Sequence, residues 1–245
     1  MRQEALVAGV VCTDDGSLTL FDDVHRQTYH SVRGARAEAE HVFLRLSGIE
    51  ERLVLGQETS VLEVGWGTGL NWAVAAASAL GAGSSLTWYS TEPNPLDPAI
   101  LRVLGTDQGL PEAVAAAFHQ ACAALLAAPA GTWVEGVALC GPSRLALRIF
   151  RGPVQDLGDE PTGVDALVHD AFSPDTCADL WSTELFASLG RRVRPGGVLV
   201  TYSVAGSVRR ALRAAGWSVS KHAGPPQGKR EVLRALWPAS PGGER

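Results

Sequence analysis

The chain has 245 residues and a formal net charge of −5, with 46% hydrophobic and 19% charged residues. These are globular values, which exclude wholesale disorder and allow one large domain or two small ones around a sizeable core. Its four cysteines form no Cys-x-x-Cys pair, so we expect buried thiols in a reducing compartment, with neither a disulfide framework nor a metal site. No apolar run reaches the roughly 18 residues of a membrane span. We therefore expect a soluble, cytoplasmic protein without a signal peptide.

Residues 1–55 are predicted to form an N-terminal extension that packs on the rest of the chain. Residues 56–245 are predicted to form a single structural unit. Within the extension, "VVCTDDGSLTLF" places an Asp15-Gly16 turn between two strand-like runs. An Asp-Gly pair between such runs is typical of a β-hairpin. The extension is therefore predicted to contain a hairpin.

Beyond about residue 60, strand-like apolar runs alternate with helix-like stretches. The five runs predicted as strands are residues 60–65, 86–92, 145–150, 164–170 and 197–203. Helices are predicted between them, for example in "LNWAVAAASALGA" and "WSTELFASLGRRV". This alternation predicts an α/β fold with a parallel, doubly wound sheet.

Two further regions complete the predicted fold. The tail, "GWSVSKHA" followed by "GKREVLRALW", offers two more strands, which we expect as an antiparallel pair at the sheet edge. The segment 94–143 interrupts the alternation and is predicted to be a helical insertion, with a helix over residues 111–128 that starts at Pro111. The prediction is a seven-stranded, mostly parallel sheet.

The stretch "LEVGWGTGLN" places Gly65, Gly67 and Gly69 between a predicted strand and a predicted helix. Glycines at this point let the backbone approach a ligand closely, and free amide groups at a helix start hold anionic groups. A dinucleotide site has Gly-x-Gly-x-x-Gly, but Leu70 stands where that pattern needs its third glycine. The observed spacing, with Glu63 two residues before the first glycine, resembles the signature of Rossmann-like, class I S-adenosylmethionine-dependent methyltransferases.

This resemblance implies a cofactor site for S-adenosyl-L-methionine, with the loop around the methionine part. Glu92 ends the next strand, where a carboxylate can accept hydrogen bonds from both ribose hydroxyls. Related enzymes often place an aspartate after the third strand for the adenine, but Pro153 stands there. Either Asp156 or a backbone group is a candidate to bind the adenine instead. The candidate cofactor-binding residues are Glu63, Gly65, Gly67, Gly69, Asn71 and Glu92.

Asp170 follows the predicted strand "VDALVH" and begins the segment "DAFSP". Ligands of parallel α/β sheets bind beyond the carboxyl ends of the strands, so we expect this side chain in the same crevice as the glycine loop. The segment resembles the D/N-P-P-Y/F motif of amino-group methyltransferases. Keeping an alkyl amine of pKa roughly 10 neutral near pH 7 costs roughly 4 kcal/mol, and a carboxylate can orient that amine and stabilise the charge that develops on it. We predict Asp170 as the catalytic residue; the competing interpretation is a cap for the following loop or helix.

Several segments together resemble one family, in the same order and along nearly the whole chain. They are "DGSLTL", "YHSVRGARAEAEHVFL", "EVGWGTGLN", "DAFSPDTCADLW", "TYSVAGSVRRALRAAGW" and "GKREVL". The family is that of the tRNA (5-aminomethyl-2-thiouridine) methyltransferases, the MnmC/MnmD type, and the chain resembles a stand-alone form without the flavin-dependent oxidase domain. The resemblance implies N-methylation of the 5-aminomethyl group on the wobble uridine of tRNA, with Asp170 as the key residue.

The same resemblance implies how tRNA would bind. Phe172 is a candidate to line the pocket or stack on the base, and Ser31 of "YHS" is a candidate to close over it. An anticodon base lies in a loop, where it can be splayed out for chemistry. Residues 191–234 carry ten lysines and arginines against one acid, a charge of +9 that suits either phosphate binding or ordinary solvation. The candidate phosphate contacts are Arg209, Arg210, Lys229 and Arg230.

Two other functions stay open from the sequence. The first is a methyltransferase that acts on a small amine or a protein side chain. The second is an inactive homologue that only binds the cofactor or RNA, although the intact loop glycines and acids argue against such decay. We expect a monomer.

Overall fold

The computed structural model describes residues 9–226 and 228–239. The strands are β1 (Val10–Cys12), β2 (Leu18–Asp22), β3 (Gln27–Thr28), β4 (Thr59–Val64), β5 (Leu86–Thr91), β6 (Thr132–Cys140), β7 (Ser143–Arg151), β8 (Val164–His169), β9 (Val193–Thr201), β10 (Ser218–Ala223) and β11 (Glu231–Leu236). The helices are α1 (Ala35–Glu38), α2 (Ile49–Val54), α3 (Leu70–Ala82), α4 (Pro98–Leu104), α5 (Glu112–Ala127), α6 (Thr183–Gly190) and α7 (Gly206–Ala214). A π-helical segment, Ala39–Arg45, continues α1. No helix in the described ranges is long and apolar enough to cross a membrane.

The central sheet has the order β10-β11-β9-β8-β4-β5-β7-β6. Its five middle strands, β9, β8, β4, β5 and β7, are parallel to one another. The chain starts this sheet at β4, adds β5 on one side and later β8 on the other, so the strand order reverses next to β4. A parallel α/β sheet binds its ligands at such a switch point, outside the carboxyl ends of the strands.

The α/β prediction is confirmed, and all seven predicted strands form. The two strands of the tail, β10 and β11, are the expected antiparallel pair at one edge of the sheet. The predicted helices over "LNWAVAAASALGA" and residues 111–128 are α3 and α5. The chain therefore has the doubly wound architecture that the alternation of strands and helices indicates.

The predicted strand number was wrong, because the sheet has eight strands. The additional strand, β6, lies at the far edge, antiparallel to β7, in the region that was predicted to be a helical insertion. Gly136 stands in its middle, where an added Cβ would lie 3.0 Å from the carbonyl oxygen of Ala117 in α5. The glycine that weakens the strand pattern is thus the residue that lets α5 pack closely on the sheet.

The N-terminal hairpin is confirmed: β1 pairs antiparallel with β2, and β3 adds a third short strand. Residues 1–8 of the predicted extension lie outside the described residues. Leu20 and Phe43 of the extension belong to the same buried cluster as Leu62 and Leu199 of the central sheet. We infer that the extension and the sheet share one core.

Candidate active site

A cavity of about 940 Å³ opens at the carboxyl ends of the parallel strands. The loops that follow β4, β5, β7, β8 and β9 form most of its wall, and residues of the N-terminal extension between 22 and 38, together with Lys229, form the rest. The cavity lies at the switch point of the sheet, where a ligand site is expected. Of the residues predicted from the sequence, it is lined by Ser31, Gly65, Gly67, Glu92, Asp170, Phe172 and Lys229.

The glycine loop has a backbone that only glycine adopts without strain. Gly65 and Gly67 have φ values of +92° and +52°. An added Cβ on Gly65 would lie 3.0 Å from the carbonyl oxygen of Asp170, and one on Gly67 would lie 2.9 Å from Cδ1 of Tyr29. The first glycine therefore brings the ends of β4 and β8 together, and the second gives the extension access to the loop.

Glu92 is fixed by the backbone on both of its oxygens. The N–H of Gly67 donates to Oε2 at 2.9 Å, and the N–H of Asn94 donates to Oε1 at 2.8 Å. Burial raises the pKa of this carboxyl, and these two hydrogen bonds work in the opposite direction. The backbone N–H of Gly67 is therefore bonded to Glu92 and is not available to an anionic ligand. The sequence interpretation had assumed that this N–H group would be free.

Asp170 follows the last residue of β8, and its carboxylate points toward the glycine loop. Its own N–H donates to the carbonyl of Val64 at 3.2 Å, and Nδ2 of Asn71 donates to its Oδ2 at 2.8 Å. The pKa of Asp170 is raised well above its ordinary value, first by burial and then by the negative charge of Glu38. The structure thus places a carboxyl group with a raised pKa beside the glycine loop.

Asn71 links Asp170 to a second buried acid. The same Nδ2 group donates to Oε1 of Glu63 at 2.9 Å, while Trp88 Nε1 and Ser90 Oγ donate to Oε2 of Glu63 at 3.0 and 2.9 Å. Burial raises the pKa of Glu63 to about 7. Glu63, Gly69 and Asn71 do not line the cavity. Their direct contact with a cofactor therefore stays a prediction.

Phe172 lies in an aromatic cluster that the extension completes. The ring of His25 stacks on it with centroids 4.3 Å apart, and the ring of Tyr29 meets it edge-on at 5.2 Å. Oδ1 of Asp22 holds His25 in place: it accepts from the backbone N–H of His25 at 2.7 Å and lies 3.0 Å from Nδ1 of the His25 ring. The cavity therefore has an aromatic wall beside Asp170, as the prediction for Phe172 requires.

The four predicted phosphate contacts are not in one place. Lys229 lines the cavity, and its Nζ lies 3.7 Å from the centroid of the Tyr202 ring. Arg209 and Arg210 lie on α7, with guanidinium nitrogens 3.9 and 3.2 Å from the position of a Cβ on Gly206 at the start of that helix. Arg230 is exposed on the strand-connecting loop before β11. The structure brings only Lys229 into the cavity.

Sequence reasoning missed Glu38 and Tyr202 as parts of this cavity. Glu38 has a recognisable signal, since it stands on the helical stripe of Ala35, Ala39 and Val42, all of which are buried. A carboxylate on an apolar helix face is costly without a partner or a function. Tyr202 carries no comparable signal, because an aromatic residue at a strand end is usual in a core.

The charges in the cavity fit a cationic ligand. Glu38, Glu92 and Asp170 line it, which disfavours a polyphosphate and suits the positive charge of a sulfonium cofactor. In the part of the chain that the structure describes, no group of three histidine, cysteine or acidic side chains could hold a metal ion. The switch-point cavity, the glycine loop and the acid after β5 are the features expected of a Rossmann-like, class I methyltransferase.

Comparisons with known proteins agree with this class. Residues 117–238 match a family described as S-adenosyl-L-methionine-dependent methyltransferase. The chain is 33% identical over 228 residues to the "tRNA 5-methylaminomethyl-2-thiouridine biosynthesis bifunctional protein MnmC" of Ralstonia nicotianae, covering 89% of this chain and 32% of that protein. It is 34% identical over 235 residues to the protein of the same name from Azoarcus, covering 94% of this chain and 35% of that protein. The chain thus spans about a third of the length of these curated relatives.

A solved structure is also similar. The crystal structure of MNMC2 from Aquifex aeolicus aligns with a TM-score of 0.71 and 26% sequence identity, covering 100% of this chain and 75% of that one. The chain belongs to the MnmC-type family of S-adenosyl-L-methionine-dependent methyltransferases, and its cofactor is S-adenosyl-L-methionine. The predicted family and cofactor are confirmed.

Proposed function

We propose that this protein methylates the exocyclic nitrogen of the 5-aminomethyl group on the wobble (2-thio)uridine of tRNA, giving 5-methylaminomethyl-2-thiouridine. The names of the relatives support tRNA as the substrate class. The observation that carries the proposal is the position of Asp170, which lines the cavity at the glycine loop and is oriented by Asn71. A carboxylate so placed suits an amine nucleophile.

The residues present fit the cofactor. S-adenosyl-L-methionine supplies, when bound, an electrophilic methyl group on a sulfonium centre. Gly65 and Gly67 would form the floor of its site, and Glu92, already held by two backbone amides, would accept from the ribose. Pro153, Val154 and Gln155 also line the cavity, on the side of β7.

Asp170 has the properties of the base for this reaction. The nitrogen must lose a proton for the methyl group that it gains, and a carboxylate with a raised pKa is better matched to that proton than an ordinary aspartate. Asn71 donates to Oδ2 of Asp170, which leaves Oδ1 for the amine. The proton passes from the nitrogen to this carboxylate and then to solvent at the cavity mouth.

The aromatic wall would hold the base. A wobble uridine that swings out of the anticodon loop can stack against Phe172, which His25 and Tyr29 keep in position. Ser31 lies at the same wall, where its N–H donates to Glu38 at 3.2 Å. The anticodon stem-loop as the binding partner, a monomeric state and a cytoplasmic location stay predictions.

Mass spectrometry of tRNA nucleosides tests the function. Purified protein and S-adenosyl-L-methionine are incubated with bulk tRNA that carries 5-aminomethyl-2-thiouridine. We expect that nucleoside to decrease and a nucleoside heavier by one methylene group to appear in equal amount. No conversion, combined with methylation of a protein fraction or of small amines, would show that the nucleophile is of another class.

A further inference from the structure

A second carboxylate reaches the amine side of the cavity from the N-terminal extension. Glu38 ends α1, is only 6% exposed, and lines the cavity together with Asp170. Across residues 9–226 and 228–239, the one hydrogen bond to its carboxylate comes from the N–H of Ser31, at 3.2 Å on Oε2. A buried carboxylate with so few donors costs free energy unless a ligand completes its hydrogen bonds.

The same part of the cavity already accommodates an alkylammonium group of the protein itself. Much of Lys229 is exposed, but its Nζ lies 3.7 Å from the centroid of the Tyr202 ring. Burial lowers the pKa of Lys229, and the charges of Glu38 and Asp170 raise it. The hydroxyl of Tyr202 donates to the carbonyl of Ala171 at 2.9 Å, which fixes the ring face toward the cation.

We propose that Glu38 is a substrate-binding residue, which together with Asp170 and the face of Tyr202 forms a site for the substrate's amine as an alkylammonium ion. The inference rests on the proposed function, because it requires a substrate with a primary amine. Two carboxylates and an aromatic face favour a cation over a neutral hydroxyl of the same size. Glu38 would therefore select the aminomethyl group among the groups that a modified uridine can carry.

The two carboxylates would have separate tasks. Asp170 is held by Asn71 at 2.8 Å and lies at the glycine loop, so it takes the proton that leaves the nitrogen. Glu38 has no such neighbour at the loop, so its carboxylate serves to accept a hydrogen bond from the amine. Burial raises the pKa of Glu38, and the charge of Lys229 and the hydrogen bond from Ser31 oppose that rise. The N-terminal extension thus supplies one of the two carboxylates of the amine site.

The variants Glu38→Gln and Glu38→Asp test the proposal, with Glu40→Gln as the matched control. Glu40 is two residues further on and pairs with Arg36 and Arg45 outside the cavity. For each protein, kcat/KM is measured from pH 6 to 9 on tRNA that carries 5-aminomethyl-2-thiouridine. The Kd for S-adenosyl-L-methionine and the melting temperature are measured on the same samples.

We expect Glu38→Gln to lower kcat/KM by about 10- to 100-fold, the effect of one hydrogen bond to a charged group. The Kd of the cofactor and the melting temperature should stay near those of the wild type, Glu38→Asp should recover part of the rate, and Glu40→Gln should change nothing. The groups that face Glu38 are Asp170, Lys229 and Tyr202. Because the charge of Glu38 raises the pKa of Asp170, the acidic limb of the profile should move to lower pH in Glu38→Gln.

Binding without turnover gives an independent readout. The wild type should bind tRNA with the aminomethyl group more tightly than tRNA with unmodified uridine, and Glu38→Gln should lose that preference. An active wild type with unchanged kcat/KM, pH profile and preference in Glu38→Gln overturns the inference and leaves the proposed function intact. A rate loss that comes with a lower melting temperature assigns Glu38 to folding and also overturns it. A wild type without activity on this tRNA overturns the proposed function itself.

Discussion

At the scale of single residues, the candidate site depends on one amide group. Nδ2 of Asn71 donates to both Glu63 and Asp170, at 2.9 and 2.8 Å. Burial raises the pKa of Asp170, and the hydrogen bond from Asn71 lowers it. Asn71 therefore sets both the direction and the basicity of the Asp170 carboxylate, and we regard it as a positioning residue.

Substitution of Asn71 separates this role from direct binding of the cofactor. Asn71→Ala should lower kcat by about 10- to 100-fold, since one hydrogen bond to a charged group is lost. The acidic limb of the pH profile should move to higher pH, because the hydrogen bond that lowers the pKa of Asp170 is gone. Calorimetry should show a cofactor Kd within a few-fold of the wild type. A Kd raised at least tenfold with a normal kcat would instead support the sequence interpretation of Asn71 as a cofactor-binding residue.

The sequence predicted those site residues that follow a strand in a short motif. Gly65, Gly67, Glu92 and Asp170 all line the cavity, because a strand end fixes the place of the next residues in an α/β sheet. Lys229 was grouped with surface arginines, and its contact with Tyr202 could not be anticipated. Charge counting along a chain does not tell on which side of a loop a side chain lies.

At the scale of elements, the glycine loop also serves the packing of α3. Gly69 precedes that helix with φ +75°, and an added Cβ would lie 2.5 Å from Trp66 and 2.7 Å from Phe118. Trp66, Trp72 and Phe118 form an aromatic cluster beneath the loop, with Trp72 and Phe118 stacked at 5.5 Å. The third glycine of the motif is thus required by the core.

Alanine substitutions at Gly69 and Gly81 compare a constrained glycine with an unconstrained one. Gly69→Ala should destabilise the protein by about 2–5 kcal/mol, the sum of left-handed backbone strain and overpacking. Gly81, near the end of the same helix, has no atom within 4 Å of an added Cβ, so Gly81→Ala should be neutral or stabilise by up to about 1 kcal/mol. Urea denaturation measures both. Equal stabilities for the two variants would contradict this account of the loop.

The elements predicted from the sequence were those with strong apolar periodicity. The buried strands β4, β5, β8 and β9 and the helix α3 follow their patterns closely. The edge strand β6 does not, since most of its residues are partly or fully exposed and Gly136 interrupts it. An edge strand is stabilised by pairing with its neighbour, here β7, and that information lies elsewhere in the chain.

At the scale of the whole molecule, two buried histidines should make the free energy of unfolding depend on pH. Burial lowers the pKa of both His30 and His169 from 6.5 to about 4. The folded state binds fewer protons than the unfolded state between these values, so their contribution to stability is lost as the pH falls from 6.5 toward 4. Glu63, whose pKa is raised to about 7, acts in the opposite direction, so a variant is needed to isolate one group.

His169→Gln provides that variant. Nε2 of His169 donates to the carbonyl of Leu180 at 2.8 Å, and a glutamine amide can make a similar bond. The loss of unfolding free energy from pH 7 to pH 5 should be smaller in His169→Gln by about 2 kcal/mol. Denaturation curves at the two pH values measure the difference. The same pH dependence in both proteins would mean that His169 is not held neutral.

The basic residues within 191–234 should contribute to tRNA affinity only where they lie on the cavity side of the sheet. The double variant Arg209→Glu/Arg210→Glu reverses two charges on α7, which begins after the carboxyl end of β9. Arg144→Glu/Arg191→Glu reverses two exposed charges at the amino ends of β7 and β9 and is the control. The first variant should lower the salt dependence of tRNA binding by about one to two phosphate contacts. Equal effects in both variants would show that the region acts only through net charge.

The central claim is that Asp170 takes the proton of the amine at the cofactor loop. Asp170→Asn keeps the side-chain volume and can still accept from Asn71, but it cannot take a proton. The test measures single-turnover methyl transfer to tRNA that carries 5-aminomethyl-2-thiouridine, and cofactor binding by calorimetry, for the Asp170→Asn variant. The control is Asp179→Asn, which changes an exposed acid at the same cavity. We expect Asp170→Asn to bind the cofactor within a few-fold of the wild type and to transfer methyl at least about 100-fold more slowly, with Asp179→Asn near normal. A transfer rate in Asp170→Asn equal to that of the wild type would contradict the account.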